Sequence, residues 1–278
     1  MRWRMGDRSL DLGPTTLVMG ILNVTPDSFS DGGLFLDHEA AVTHGTSMAS
    51  EGAAILDVGG ESTRPGSEAV MVEEELSRVL PVIKRLAAEV RVPISIDTRK
   101  PEVARAAIDA GAVLVNDVSG ARVPGMLEVV EASGAGLVVM HMLGEPKTMQ
   151  VEPRYDDVVR EVRAYLAERL DAATAAGVAP DRVAVDPGLG FGKNYEHNLE
   201  LMRHVDAFLD LGVPVVVGPS RKSFIGTALG DAPVDRRLEG TIGAAAWMAG
   251  RGAHVVRVHD VGPVLRALRV VDEVRGAG

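Results

Sequence analysis

Eight short apolar runs recur along the chain, and each is followed by a turn and a longer helical pattern. The runs are rich in Val, Ile and Leu, which is typical of parallel strands buried on both faces. The strands are predicted at residues 17–23, 53–58, 94–97, 114–117, 137–141, 183–186, 215–218 and 255–259. Eight βα units in about 250 residues are the usual content of a (β/α)₈ barrel. We therefore predict an α/β protein with one barrel domain over residues 1–278.

The helices between these strands are predicted at residues 40–51, 72–89, 101–110, 126–132, 156–176, 195–211, 239–251 and 264–274. The alternative is a doubly wound sheet, whose nucleotide fingerprint G-x-G-x-x-G follows the first strand. Here the first strand runs into NVTPDSFSDGG, and the nearest G-x-G lies in DPGLGFGK after the sixth strand. The barrel is therefore favoured. Residues 2–4 and 9–12 flank Gly6-Asp7 and predict a short N-terminal β-hairpin at the bottom of the barrel.

The composition excludes several classes of protein. The chain has no cysteine, so it has no disulfide and no thiolate metal site. Its net charge of −10 argues against non-specific nucleic-acid binding. No run reaches the roughly 18 apolar residues of a membrane span, and the N-terminus lacks the apolar stretch of a signal peptide. We expect a cytoplasmic protein that binds neither nucleic acid nor membranes.

Polar side chains follow nearly every predicted strand. Active sites of (β/α)₈ barrels lie at the carboxyl ends of the strands, so these side chains share one rim. They are Asn23, Asp57 with the following ESTR segment, Asp97, Asn116, Asp117, His141, Asp186, Ser220, Arg221, Lys222, Arg257 and His259. Single Asp and Asn residues in such positions often cap helices or hold turns, and we interpret Asp57 and Asp117 as loop-fixing residues. The convergence of so many polar types instead indicates a binding site.

The carboxylates and the amide in this set are suited to a planar heterocycle. Asp97, Asn116 and Asp186 supply hydrogen-bond acceptors, and anions alone would repel a phosphate. Acceptors of this kind match a ligand edge that is rich in N–H donors. Lys222 can donate to a ring carbonyl or nitrogen from the other side. The sequence therefore predicts a pocket for a nitrogen heterocycle.

A second part of the rim is predicted to bind an anion. Arg257 and His259 are two residues apart on the eighth strand, so they point the same way. With the hydroxyl of Thr63 they form an anion site, and Asn23 offers an oxygen ligand for Mg²⁺, which favours phosphate substrates. The structural alternatives are a core histidine for His259 and a surface charge at a frayed strand end for Arg257. The expected ligand is a heterocycle that carries a phosphate or diphosphate.

Longer motifs surround these residues. They are GILNVTPDSFSDGG (20–33), DVGGESTRPGS (57–67), SIDTRKPEVA (95–104), VNDVSG (115–120), DPGLGFGK (186–193), GPSRKSFIG (218–226) and GAHVVRVHDV (252–261). Together they resemble the dihydropteroate synthases of the pterin-binding barrel superfamily, in the family's order and over almost the whole chain. The fifth loop, HMLGEPKTMQ, departs from the family pattern, with Leu143 in place of Gln and Lys147 in place of Arg. No catalytic role is assigned to it.

The resemblance implies a transferase of folate biosynthesis. Similar enzymes join 4-aminobenzoate to (7,8-dihydropterin-6-yl)methyl diphosphate, release diphosphate with the help of Mg²⁺, and form 7,8-dihydropteroate. The residues implied to hold the pterin are Asp97, Asn116, Asp186 and Lys222. Those implied for the diphosphate are Asn23, which also binds the metal, Thr63, Arg257 and His259. Those implied for the aminobenzoate are Phe29, Arg64, Pro65, Phe191 and Ser220.

The resemblance further implies which groups act in the reaction. Asp97, Lys222, Arg257 and His259 are the implied catalytic residues, and Asp27 or Asp31 of the first loop is a further candidate to stabilise a pterin cation. Departure of the diphosphate before attack, an SN1-like path, needs no strong base, because an arylamine is neutral at pH 7. The family also implies a homodimer, formed through the later helices, and a target of sulfonamides.

Two alternatives stay open at this point. One is a methyltetrahydrofolate–corrinoid methyltransferase, which shares a pterin-holding set of Asp and Asn residues. Such an enzyme would not need the GPSRKSF, RVH and FSDGG segments that are present here. The other is a paralogue that binds pterin and has no synthase activity. Measuring diphosphate release in the presence of both substrates separates these alternatives.

Overall fold

A barrel of eight parallel strands forms the centre of the computed structural model. The structure describes residues 1–25, 34–62, 67, 69–145 and 147–276, with side chains from residue 38 onward in the first helix. The strands are β1 (Arg2–Met5), β2 (Arg8–Asp11), β3 (Leu17–Asn23), β4 (Ile55–Gly59), β5 (Ile94–Asp97), β6 (Leu114–Asp117), β7 (Gly136–Met140), β8 (Val183–Asp186), β9 (Val216–Val217) and β10 (Val255–Val258). The barrel order is β8-β7-β6-β5-β4-β3-β10-β9. A parallel bridge between Val185 and Val215 joins the two ends and closes the barrel.

Helices cover the outside of the barrel. In the described part of the chain they are α1 (Leu34–Glu51), α2 (Val72–Glu89), α3 (Pro101–Asp109), α4 (Met126–Ser133), α5 (Val158–Ala175), α6 (Tyr195–Arg203), α7 (Ser223–Ala228), α8 (Leu238–Gly250) and α9 (Val261–Val274). Short 3₁₀ segments lie at Pro180–Arg182, Val205–Leu211 and Val234–Arg236. None of the helices among these residues is long and apolar enough to cross a membrane. The (β/α)₈ prediction is confirmed.

The hairpin of β1 and β2 plugs the bottom of the barrel, as predicted. The side chains of Trp3 and Met5 are fully buried and pack against the inward-facing residues of the barrel strands, among them Met19 and Leu114. The indole Nε1 of Trp3 also donates to the carbonyl of Arg182 at 3.2 Å. Residues of the opposite strand faces pack against the helices in a second, larger apolar layer. One end of the barrel is therefore sealed, and polar side chains collect at the other end.

Three helix predictions miss a bound by more than two residues. The first helix, predicted from residue 40, begins at Leu34. The helix predicted over 195–211 ends at Arg203, and a 3₁₀ segment follows it. Val205 and Phe208 are both buried there, because a spacing of three residues puts two side chains on one side of a 3₁₀ turn. The prediction also began the last helix at residue 264, whereas α9 begins at Val261 with Pro263 in its first turn. Proline is tolerated there since the first N–H groups of a helix have no intrahelical partner.

Candidate active site

Arg257 links three strands at the open end of the barrel. Its Nε lies 2.6 Å from Asp57 Oδ2, and its Nη2 lies 2.6 Å from Asp97 Oδ2. The amide nitrogen of Asn116 donates to the same Asp57 oxygen at 3.0 Å. These residues come from β10, β4, β5 and β6, and their side chains meet because β10, the last strand of the chain, pairs with β3 beside β4. The result is one guanidinium shared by two carboxylates.

Burial shifts the pKa values of the charged residues in this group and leaves some of their oxygens without hydrogen bonds. Burial raises the pKa of Asp97 to about 7, although the positive charge of Arg257 opposes the shift. Burial alone would lower the pKa of Arg257, but Asp57 and Asp97 outweigh it and hold the pKa above its ordinary value. Asp57 and Asp97 each keep one buried oxygen, Oδ1, without a hydrogen-bond partner in the described residues. Buried acceptors of this kind are costly, and N–H donors of a ligand would satisfy them.

The loop-fixing interpretation is confirmed for Asp117 and wrong for Asp57. Asp117 accepts from the backbone N–H groups of Ser119 at 2.7 Å and Ala121 at 3.1 Å, which holds the turn after β6. The hydrogen bonds of Asp57 instead come from the side chains of Asn116 and Arg257. Asp57 therefore neutralises and orients Arg257. Its partner lies 200 positions away in the chain, so sequence position alone did not indicate this role.

Asp186 and Lys222 lie next to this group. Asp186 ends β8, and its Oδ1 accepts from the Gly188 N–H at 2.7 Å. A β-carbon placed on Gly218 would lie 3.9 Å from Asp186 Oδ2, 3.8 Å from Lys222 Nζ and 4.0 Å from the Arg257 β-carbon. The three side chains therefore meet around a residue that has no side chain. Burial raises the pKa of Asp186 and lowers that of Lys222 to about 8, while the opposite charge of each opposes the shift of the other.

His259 joins two further polar residues of the rim. Its Nδ1 lies 2.9 Å from the Ser220 hydroxyl, which also accepts from the His259 backbone N–H at 3.2 Å. Its Nε2 lies 3.4 Å from the amide nitrogen of Asn23. The ring is thus held between the ends of β3 and β10 and the loop after β9. Its alternative as a core histidine does not hold, because the residue is half-buried and surrounded by polar partners.

The loop after β8 needs glycine at Gly188, Gly190 and Gly192. All three have φ between +65° and +80°, which side chains disfavour. A β-carbon on Gly188 would lie 1.9 Å from the carbonyl oxygen of His141, which is backbone and cannot move aside. On Gly192 it would lie 2.6 Å from Leu143. The GLGFG sequence is therefore required for this loop to pack against the loop after β7.

Gly188→Ala is expected to destabilise the fold far more than Gly134→Ala. Gly134 has a similar φ of +75°, but a β-carbon there would have nothing within 4 Å. The control substitution should cost about 1–2 kcal/mol for the left-handed backbone alone. Gly188→Ala adds a backbone clash and should cost at least about 3 kcal/mol. Urea unfolding of the two variants measures the difference, and equal losses would show that the close contact with His141 is not formed.

Comparisons with known proteins identify relatives over almost the whole chain. Residues 19–259 match the family described as pterin binding enzyme. The chain is 48% identical to the dihydropteroate synthase of Escherichia coli over 97% of this chain and 95% of that protein. A solved Xanthomonas albilineans dihydropteroate synthase with 4-aminobenzoic acid is 49% identical, with a TM-score of 0.93 over 99% of this chain and 98% of that one.

The chain belongs to the dihydropteroate synthase family. It is accordingly a transferase. The X. albilineans enzyme has also been solved with 7,8-dihydropteroate, and that structure is 46% identical, with a TM-score of 0.90 over 99% of both chains. A Yersinia pestis relative, solved as a sulfonamide drug complex, is 41% identical with a TM-score of 0.93 over the whole of both chains. The family resemblance stated from the motifs is confirmed.

The structure brings most of the predicted site residues together. Those at the open rim are Asn23, Asp97, Asn116, Asp186, Phe191, Ser220, Lys222, Arg257 and His259. Phe29, Thr63, Arg64 and Pro65, together with Asp27 and Asp31, lie outside the described residues. Within the residues that are described, no group of three or more His, Asp or Glu side chains is arranged to hold a metal ion.

Sequence reasoning missed one ionic cluster beside the second loop. Lys100, at the N-terminus of α3, contacts the carboxylates of Glu61 and of the fully buried Glu75. Glu61 also accepts from the backbone N–H of Val70 at 3.1 Å and lies 3.3 Å from Arg99. The first residue of the ESTR segment thus ties the second loop to the third. In the sequence, the one indication of these ion pairs is that two neighbouring motifs carry residues of opposite charge.

Proposed function

We propose that this chain condenses (7,8-dihydropterin-6-yl)methyl diphosphate with 4-aminobenzoate to give 7,8-dihydropteroate and diphosphate. The observation that carries the proposal is the buried group of Asp57, Asp97, Asn116 and Arg257 beside Asp186 and Lys222. Relatives in the family have been solved with 4-aminobenzoic acid and with 7,8-dihydropteroate, which supports both ends of the reaction.

The pterin is proposed to lie against Asp97, Asn116, Asp186 and Lys222. Asp97 keeps one buried oxygen that no described residue contacts by a hydrogen bond, and the second oxygen of Asp186 lies near Lys222. Both carboxylates therefore have capacity for ligand N–H groups. Lys222 is close to half protonated near pH 8 because its pKa is about 8. Its ammonium form donates to a ring carbonyl or nitrogen. A heterocycle with donors on one edge and acceptors on the other matches this arrangement.

The diphosphate is proposed to lie between His259, Arg257, Asn23 and Thr63. The Asn23 amide nitrogen faces His259, so the amide oxygen is the atom that a cation would contact. A single protein oxygen fits Mg²⁺, which keeps several waters and takes its other ligands from phosphate. Held there, Mg²⁺ would supply positive charge opposite the leaving diphosphate. Arg257 and His259 contribute to the same stabilisation from the protein side.

The reaction is proposed to follow an SN1-like path. The carbon–oxygen bond to the diphosphate breaks first, and the electron pair leaves with the diphosphate. The pterin cation is stabilised by the ionised carboxylate of Asp97, and Asp27 or Asp31 of the first loop are candidates for the same role. The amine of 4-aminobenzoate then attacks the carbon, which gives an ammonium that releases its proton to solvent water. Because the arylamine is neutral, the site needs no nucleophile or strong base of its own.

The second substrate is proposed to bind beside Phe191 and Ser220. The centre of the Phe191 ring lies 4.5 Å from Lys222 Nζ, at the edge of the proposed pterin site. Phe29, Arg64 and Pro65 complete this pocket in the proposal. A sulfonamide, which resembles 4-aminobenzoate in shape and charge, is expected to compete for it, and the family contains a member solved with such a drug. We further propose a cytoplasmic homodimer.

Incubation with both substrates and Mg²⁺, followed by measurement of diphosphate release, tests the function. We expect release that depends on both substrates and formation of dihydropteroate in equal amount. Pterin binding by calorimetry without diphosphate release would indicate the inactive paralogue. Methyl transfer from methyltetrahydrofolate to a corrinoid, without condensation, would indicate the methyltransferase.

A further inference from the structure

Side chains hold five consecutive carbonyl groups in the loop after β8. The pairs are Leu189 with Lys222 Nζ, Gly190 with Gln150 Nε2, Phe191 with Lys193 Nζ, Gly192 with the Tyr155 hydroxyl, and Lys193 with Asn198 Nδ2. Alternating left-handed glycines prevent this segment from forming a regular backbone ladder. Its shape is therefore set by the side chains that surround it.

Lys193 is the buried cation of this set. Its side chain is only 2% exposed, and its Nζ lies 2.9 Å from the Phe191 carbonyl, 2.9 Å from His141 Nδ1 and 3.4 Å from the His141 carbonyl. Burial lowers its pKa well below the ordinary value, with Lys222 acting in the same direction. No carboxylate contacts its nitrogen among the described residues. Lys193 thus serves as a hydrogen-bonding group inside the protein rather than as a surface charge.

His141 holds Lys193 in place. Its ring is 6% exposed and packs edge-to-face on Tyr165, with ring centres 4.8 Å apart and planes at 83°. The Tyr165 hydroxyl in turn donates to the Ser119 carbonyl at 3.2 Å. Burial, and next the neighbouring Lys193, lower the pKa of His141 to about 2, so the imidazole is neutral. A rigid, uncharged ring therefore fixes the position of the lysine nitrogen.

We propose that Lys193, oriented by His141, is a positioning residue that fixes Phe191 against Lys222 and so shapes the 4-aminobenzoate pocket. The chain of contacts runs from His141 to Lys193, to the Phe191 carbonyl, and through the Phe191 ring to Lys222. The proposal rests on the proposed function, because it assumes that Phe191 borders the second substrate. Lys193 itself is too deeply buried, at 2% exposure, to present its nitrogen to that substrate.

Lys193→Met tests the proposal, with Arg182→Met as its matched control. Arg182 is also a buried cation that donates to two carbonyls, those of Val130 and Ala135, but it lies at the sealed end of the barrel. Both variants should lose stability. Only Lys193→Met should raise KM for 4-aminobenzoate, by about tenfold, which corresponds to the loss of one well-placed hydrogen bond. Its affinity for the pterin diphosphate in calorimetry should stay within about threefold of wild type.

A double-mutant cycle with Phe191→Ala shows whether Lys193 acts through Phe191. In that background Lys193→Met should raise KM for 4-aminobenzoate no further, because the ring that it positions is gone. Additive effects, an unchanged KM, or an equal rise in Arg182→Met would overturn the proposal. If Lys193→Met does not fold, Lys193→Gln, which keeps an N–H donor, enters the same cycle and is expected to show a smaller rise. Wild-type protein that fails to release diphosphate would refute the proposed function instead.

Discussion

Arg257→Ala is expected to abolish diphosphate release and to lower the free energy of unfolding by about 3–5 kcal/mol at pH 8. The guanidinium bonds Asp57 and Asp97 at 2.6 Å each, and both carboxylates are buried. Removal of the cation takes from two buried carboxylates the positive partner that they have among the described residues, and such a change is among the costliest in a protein core. The substrate diphosphate loses a cation as well. Urea unfolding and the diphosphate-release assay measure the two effects.

The pH dependence of this variant gives a second test of the same group. The folded-state pKa of Asp97, about 7, lies above the ordinary value of 3.8, so the folded protein binds a proton that the unfolded chain releases between these values. Stability from this group therefore falls as pH rises from about 4 to 7. Without Arg257 the pKa rises further. The stability deficit of Arg257→Ala should therefore shrink between pH 8 and pH 5.

Two matched variants complete the test of Arg257. The double variant Arg257→Ala/Asp57→Asn has one buried carboxylate fewer than Arg257→Ala. Its free energy of unfolding should therefore recover in part, while diphosphate release remains absent. Arg203→Ala removes an arginine whose partner, Glu200, is exposed, and it should cost less than about 1 kcal/mol. A loss in Arg257→Ala as small as that in Arg203→Ala would mean that the buried group is not formed as described.

The barrel was predictable from the sequence because its strands are buried on both faces. Such strands are continuous apolar runs that end in a polar residue at the rim, and the bounds of β3, β5, β6 and β8 were predicted to the residue. Short elements were not predictable in this way. α7 has six residues and β9 has two, too few to display a period, so the first was missed and the second was predicted too long.

The site was predictable as a set of residues, and less so as a set of contacts. The rule that barrel sites lie at the carboxyl strand ends identified Asp97, Asp186 and Arg257. It did not reveal that Asp57 pairs with Arg257 across 200 positions, because a strand-end carboxylate has the same sequence signal whether it holds a loop or a cation. Lys193 was missed for a related reason. Lysine is ordinarily exposed, and only the fold shows that this one is buried.

Asp186→Asn is expected to weaken binding of the pterin diphosphate at least tenfold while the fold survives. The Gly188 N–H donates to Asp186 Oδ1 at 2.7 Å, so an asparagine must keep its oxygen at that position. Its amide NH₂ then occupies the place of Oδ2, near Lys222, where the ligand is proposed to bring N–H donors. The NH₂ group of the asparagine would then face the N–H donors of the ligand, and neither group could accept a hydrogen bond from the other. Loss of a charge-assisted buried hydrogen bond costs about 1.5–3 kcal/mol, which corresponds to at least tenfold in affinity.

Asp117→Asn is the matched control for Asp186→Asn, because Asp117 is also a buried carboxylate at a strand end that accepts from backbone N–H groups. Both of its oxygens accept hydrogen bonds in the turn after β6, from the backbone N–H groups of Ser119 at 2.7 Å and Ala121 at 3.1 Å. In the asparagine variant the side-chain NH₂ would therefore face a backbone N–H donor of the protein and not a donor of the ligand. Asp117→Asn should therefore lower the free energy of unfolding by about 1–3 kcal/mol and leave pterin affinity within a few-fold of wild type. Asp186→Asn should instead change the free energy of unfolding little and the affinity for the pterin diphosphate, measured by calorimetry, strongly. Unchanged affinity in Asp186→Asn would remove Asp186 from the pterin pocket, and with it the argument that the paired carboxylates of the rim recognise the N–H edge of the heterocycle.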